Sequence, residues 1–214
     1  MERRYTNHRA TVEKREDGKG TITGYAAVFY RDGDHSTEYV LWDDQFSRAV
    51  ERVTPSAFSR ALREKQDIRA LFNHDPNQLL GRTTAGTATV TVDETGLRYE
   101  IDPGNTQVGR DVVEHIARGD VDGSSFTFTI PAGGDKWTRT TDEEGRVLEV
   151  RELLDVDLFD VSPVVFPAYE GTSVSMRSAS DISELRAKRN AERRSLESQR
   201  LVVEAELAER EIES

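Results

Sequence analysis

The sequence predicts an α+β domain built on a small, mostly antiparallel sheet with flanking helices, followed by a charged C-terminal helix. Three observations carry that expectation. Period-two apolar runs occur in pairs around turn residues, a helical repeat closed by glycine lies over 107–118, and composition changes abruptly near residue 179. The chain has 214 residues, enough for one domain of ordinary size plus an extension.

Taken in order, residues 1–8 are polar, carry the adjacent Arg3 and Arg4, and read as a loose arm. The runs Arg9–Lys14 and Gly20–Tyr30 flank Asp17-Gly18-Lys19-Gly20 and predict a hairpin. Its second strand has Tyr25, Ala27 and Phe29 on one face and Ala26, Val28 and Tyr30 on the other, a pattern suited to burial on both sides. Residues 31–46 read as a loop holding Trp42 and Phe46. Thr54 before Pro55, with Phe58, Ala61 and Leu62 at helical spacing, predicts a helix over 55–65. Ile68–Phe72 is a short apolar strand that leads into His74.

Thr87–Val92 and Leu97–Ile101 alternate around Asp93-Glu94-Thr95-Gly96, a second hairpin. Val108, Val112, Val113, Ile116 and Ala117 then define a helix that Gly119 terminates. Phe126, Phe128 and Ile130 alternate in the next strand, and 147–166 supplies one or two more before Pro167. Residues 180–214 contain no Gly, Pro or aromatic residue and are dense in Glu, Arg, Ala and Leu, which favours a long exposed helix. Ile182, Leu196 and Val203 share a heptad phase, but the partner phase holds Glu192, Gln199 and Glu206 and does not support a two-stranded coiled coil. The expected division is a domain over 1–178 and a helical tail over 179–214.

Composition narrows the chemistry. The absence of cysteine removes disulfides, thiolate metal sites and a cysteine nucleophile. A formal charge of −11 opposes attraction to nucleic acid or anionic membranes. No apolar run approaches a membrane span and no secretory signal opens the chain, so a soluble intracellular protein is expected. The four histidines are too scattered for a zinc site, Gly133-Gly134 opens no phosphate loop, and Asp32-Gly33-Asp34 lacks the spacing of a calcium loop. Neither metal nor cofactor is predicted.

What remains is a set of parts for nucleophilic catalysis. Serine needs an adjacent base, and a histidine serves best when a carboxylate holds its other nitrogen. His8 lies in the polar arm, His35 in an Asp-rich loop and His115 at the polar edge of a helix, whereas His74 follows an apolar strand in Leu71-Phe72-Asn73-His74-Asp75. Ser125 lies in Gly123-Ser124-Ser125-Phe126-Thr127-Phe128, and Asp160 in Leu158-Phe159-Asp160-Val161-Ser162. Taken alone, the histidine and serine motifs are more often turn or capping elements than catalytic ones, and Asp160 alone could cap a neighbouring backbone group.

Together with Gly24–Phe29, Glu51–Phe58, Leu80-Gly81-Arg82 and Leu158–Phe166 with Pro167-Ala168, these motifs resemble the prohead (procapsid) maturation proteases of tailed bacteriophages, relatives of the herpesvirus assemblins. The resemblance spans roughly residues 10–178. It implies barrel-like closure of the sheet, with His74 as general base, Ser125 rather than Ser124 as nucleophile, and Asp160 as third member. Asp157 and Asp155 are fallbacks on the opposite strand face, and Arg82 is a candidate oxyanion donor. Thr127 stands where the common phage motif has Gly, and the arginine pair that follows the third-member strand in the herpesvirus relatives is missing. The implied activity is serine endopeptidase cleavage of the major capsid protein and scaffold, with self-processing, by a homodimer inside the assembling procapsid in the host cytoplasm. The alternative from another class is a non-enzymatic capsid scaffold or assembly protein.

Overall fold

Period-two segments dominate the chain. The computed structural model describes residues 1–6, 8–14 and 20–166. Among the described residues thirteen strands run in chain order: β1 Glu2–Thr6, β2 Thr11–Lys14, β3 Gly20–Val28, β4 Tyr39–Asp43, β5 Ser47–Val53, β6 Arg69–Phe72, β7 Asp75–Arg82, β8 Ala88–Val92, β9 Gly96–Ile101, β10 Gly123–Thr129, β11 Asp135–Thr141, β12 Val147–Leu153 and β13 Asp157–Val164. The α-helices among the described residues are α1, Ser59–Arg63, and α2, Gln107–Arg118.

The strands form three sheets, ordered β1-β10-β13-β6-β7, β11-β12-β5-β4 and β2-β3-β9-β8. Pairing is antiparallel except at β13–β6 and β12–β5. The mostly antiparallel expectation therefore holds, while barrel closure does not: the strands divide among separate sheets, none closed on itself. The fold is also more strand-rich than a sheet with flanking helices. The residues that join β2 to β3, the boundary expected at 178 and the helix expected over 180–214 lie outside the described residues.

Several elements depart from their sequence reading for local reasons. The N-terminal arm is strand β1, hydrogen-bonded to β10. The 31–46 loop contains β4. The helix expected over 55–65 is reduced to α1, because Thr54 does not cap it; the Thr54 hydroxyl donates instead to the Leu153 carbonyl at 2.7 Å. Helix α2 has the expected bounds: Thr106 caps it by accepting from the Gly109 amide, and Gly119 ends it at φ +82°. Its buried Val112 and Ile116 join the core.

That core gathers Ile22, Phe58, Leu97, Tyr99, Ile101, Phe126 and Phe128, all fully buried. Phe126 stacks on Phe128 at 4.9 Å and meets Phe58 edge-on at 5.6 Å. Gly24 is required where β3 crosses Tyr99, since a Cβ there would sit 2.5 Å from the tyrosine oxygen.

Beside this apolar core lies a buried ionic network. Arg4 of β1 binds Glu51 of β5 through Nε to Oε1 and through Nη2 to Oε2 at 2.6 Å. Arg151 of β12 reaches Glu51 Oε2 at 3.2 Å, Glu2 Oε2 at 2.9 Å and Asp135 Oδ2 at 2.7 Å. Glu51 is fully buried and Arg4 and Arg151 nearly so, so each charge is compensated only by this network. It joins β1 of the five-stranded sheet to β5, β12 and β11 of the second sheet.

Two outcomes follow. Replacing Glu51 by Gln removes the carboxylate that Arg4 and Arg151 share but leaves Arg4 its bond to Glu2 and Arg151 its bonds to Glu2 and Asp135, and urea unfolding should report a loss of about 1–3 kcal/mol. Burial raises the Glu2 carboxyl, but Arg4 and Arg151 outweigh it and take it from 4.5 down to about 2. Between those values the unfolded chain binds the proton and the folded chain does not, so stability should fall as pH drops through that window. Glu2→Gln should flatten this part of a stability-versus-pH curve; an unchanged slope would contradict it.

Candidate active site

The register of two neighbouring strands builds the site. In antiparallel pairing, residues directly opposite one another share a face of the sheet, and so do residues two apart along a strand. Strand β10 places Ser125 opposite Ser162 of β13 and Thr127 opposite Asp160. Those four side chains form one patch on one face. On the other side of β10, Tyr5 lies opposite Ser125 and Arg3 opposite Thr127. The reverse face carries Ser124, whose hydroxyl lies 2.8 Å from the Tyr99 hydroxyl, and Phe126. Adjacent serines thus belong to different environments: Ser124 to the core, Ser125 to the patch.

His74 reaches this patch from the turn between β6 and β7. Phe72 pairs with Asp75 across a two-residue connection, with Asn73 at φ 54° and His74 at φ 58°. Positive φ at both central residues is the signature of a type I′ turn, in which Asn is well suited and His bears more strain than the Gly usual at the second place. Holding a histidine there costs about 1–3 kcal/mol. The turn is anchored to the end of β13: the Asn73 amide donates to the Pro163 carbonyl at 3.1 Å, and the Val165 amide donates to Asn73 Oδ1 at 2.9 Å.

The three sequence-predicted residues meet. His74 Nε2 lies 2.6 Å from Ser125 Oγ, and His74 Nδ1 lies 2.5 Å from Asp160 Oδ1. Thr127 Oγ1 and Ser162 Oγ stand 3.0 and 3.2 Å from the same Nδ1, and the Ser162 hydroxyl donates to Asp160 Oδ1 at 2.9 Å. The Tyr5 ring meets the imidazole edge-on at 6.0 Å. Ser125 and Ser162 are fully buried, and His74 and Asp160 are each 6 % exposed. Burial pushes the Asp160 carboxyl up, but the hydrogen bond and charge of His74, helped by Thr127 and Ser162, more than offset it and hold the group below its ordinary value. An anionic Asp160 accepts from Nδ1–H, which fixes the tautomer with the Nε2 lone pair turned to the serine hydroxyl.

The other candidates lie elsewhere. Asp155 and Asp157 are bound by Arg60 of α1, at 2.7 and 2.8 Å, and neither contacts His74. Arg82 binds Asp67 through Nε at 2.7 Å and Nη2 at 2.5 Å. Three strand spacings separate β7 from β10, or roughly 14 Å, so Arg82 is not placed to stabilise an oxyanion formed at Ser125. His35 and His115 have exposed side chains paired with Glu38 and Asp120, and His8 is exposed. Sequence reasoning missed Tyr5, Thr127, Ser162 and the anchoring role of Asn73. The available signals were the i, i+2 spacing of Thr127 and Ser162 from Ser125 and Asp160, and the preference of asparagine for positive φ.

Among the described residues, no group of three or more His, Asp or Glu is arranged to hold a metal ion, and no helix is long and apolar enough to cross a membrane. Neither the curated proteins nor the solved structures contain a match to this chain. A family model described as caudovirus prohead serine protease matches residues 8–187, most of the 214 residues, and the chain belongs to that family.

Proposed function

We propose that this protein is a serine endopeptidase in which Ser125 is the nucleophile, His74 the general base and acid, and Asp160 the group that orients the imidazole. The observation that carries the reading is the continuous chain from Asp160 Oδ1 through Nδ1 and Nε2 of His74 to Ser125 Oγ, at 2.5 and 2.6 Å. Each link is within proton-transfer reach.

The chemistry is acyl transfer. Ser125 Oγ attacks the scissile carbonyl as its proton passes to His74 Nε2, giving a tetrahedral intermediate. Collapse expels the amine, which takes that proton from Nε2, and leaves an acyl-serine. Water then repeats the sequence, with His74 as base, and releases the acid and free Ser125. Asp160 stays ionised throughout and stabilises the imidazolium. A buried pair with its partner groups already aligned needs little reorganisation on the way to the transition state.

The substrates we propose are the major capsid protein and scaffold within an assembling procapsid in the host cell, with self-processing of the protease. Family membership supports this reading, and confinement with the substrate makes a modest intrinsic rate sufficient. In the same proposal, residues 1–178 form the protease domain, 179–214 serve to package it or are removed by cleavage, and the working unit is a homodimer. A purely structural assembly role fits less well, since a buried histidine held at positive φ against a serine and a carboxylate is an arrangement that assembly does not require.

Co-expression with the capsid protein tests the assignment. Ser125→Ala should abolish trimming and reaction with a fluorophosphonate, a loss of about 10⁴–10⁶-fold; capsid protein still trimmed in that variant would falsify the nucleophile. Asp160→Asn should slow cleavage about 10⁴-fold with the fold intact, and near-normal rates would remove Asp160 from the mechanism. Deleting residues 179–214 should reduce the amount of protease recovered in procapsids; undiminished recovery would exclude a packaging role.

A further inference from the structure

Two hydroxyls beside Asp160 take no part in the proton transfers above. Thr127 Oγ1 and Ser162 Oγ lie 3.0 and 3.2 Å from His74 Nδ1, both residues being nearly or fully buried. We infer that Thr127 and Ser162 are positioning residues: they clamp the Asp160 carboxylate, and through it the His74 ring, in the one orientation that delivers Nε2 to Ser125. The inference rests on the peptidase reading and identifies what preorganises its site.

Geometry and satisfaction of hydrogen bonds both support the clamp. A carboxylate offers about four acceptor positions, and leaving them unfilled in a buried site is costly. His74 Nδ1–H fills one position on Asp160 Oδ1, and the Ser162 hydroxyl fills another at 2.9 Å. Thr127 stands directly opposite Asp160 in the strand register, with its hydroxyl oxygen 3.0 Å from His74 Nδ1. With their O–H groups turned to Asp160, the two hydroxyl oxygens present lone pairs around Nδ1–H. The ring nitrogen then faces three oxygens, at 2.5, 3.0 and 3.2 Å, and a ring flip would place a C–H among them.

The sheet makes the clamp stiff. Thr127 and Ser162 come from the same two strands as Ser125 and Asp160, two residues away in each case, so the hydroxyls move with the groups they orient. Thr127 is β-branched and has few rotamers available. The charged neighbours in register with Asp160 are Arg69 on β6 and, across Thr127, Arg3 on β1. Both are exposed, and Arg69 turns to Asp67 at 3.1 Å, so the hydroxyls are the sheet-borne groups beside the carboxylate among the described residues.

Fluorophosphonate labelling of Ser125 separates positioning from binding, because kinact reports activation of the nucleophile and KI reports access. Thr127→Val keeps the shape and removes the hydroxyl; kinact should fall about 10- to 100-fold with KI within about 2-fold, and Thr127→Ser should restore most of the rate. Ser162→Ala should act in the same direction, and it serves as the test if Thr127→Val does not fold by thermal melting. The low-field proton resonance of His74 Nδ1–H gives a readout that needs no turnover: it should weaken or move upfield in Thr127→Val and return in Thr127→Ser. Folded Thr127→Val and Ser162→Ala proteins with wild-type kinact and an unchanged resonance would overturn the clamp. A wild-type protein that the probe does not label would instead overturn the peptidase reading, and the resonance alone would then decide the clamp.

Discussion

The register between β10 and β13 is the constraint from which the site follows. Ser125 opposite Ser162 and Thr127 opposite Asp160 put a hydroxyl, a carboxylate and two further hydroxyls on one face. A slip by one residue would turn Ser124 and Phe126 to that face and bury Ser125 and Thr127 against Tyr99 and Phe58. The register is held because the reverse face is equally committed: Phe126, Phe128, Leu158 and Val161 are all in the core. An irregularity between Thr127 and Phe128, where Phe128 pairs with Leu158 and Phe159 is left over, lets both strands keep their aromatic and aliphatic residues inward beyond the patch.

A second constraint sets the outer boundary of the site. Strand β1 is the edge of the five-stranded sheet and supplies Tyr5 beside His74. Five residues of edge strand contribute little stability alone. Arg4 changes that: it enters the interior, lies over the Phe128 ring at 5.1 Å and binds Glu51 of another sheet. A charge pair of this kind adds little net stability compared with an apolar contact, but it is intolerant of misplacement. The network therefore specifies where β1 lies, and with it the wall of the patch.

The residues of the candidate site were more legible in the sequence than the architecture that brings them together. His74 and Ser125 were legible because each adjoins an apolar strand and the other histidines do not. Both hairpins and α2 were legible because their periods and terminating residues are local. Strands β1, β5 and β12 are harder to read because inward positions are occupied by Arg4, Glu51, Glu149 and Arg151, so charge interrupts the alternation that marks a buried face. Strand β11 is largely exposed and Thr-rich and has little apolar signal on either face. Division into three sheets, where closure was expected, depends on pairings between distant strands such as β12–β5 and β13–β6, for which no local signal exists.

The position of His74 shows how these levels combine. A histidine in the left-handed region is locally unfavourable, and a turn with Gly at that place would form more easily. The penalty is offset by bonds that only the assembled sheet provides: Asn73 to Pro163 and Val165, His74 to Asp160 and Ser125. Because β13 supplies the anchors for the turn as well as Asp160 and Ser162, imidazole and carboxylate are referred to the same strand. Their alignment therefore does not depend on loop rigidity, and a β-rich fold without closure is sufficient to hold it.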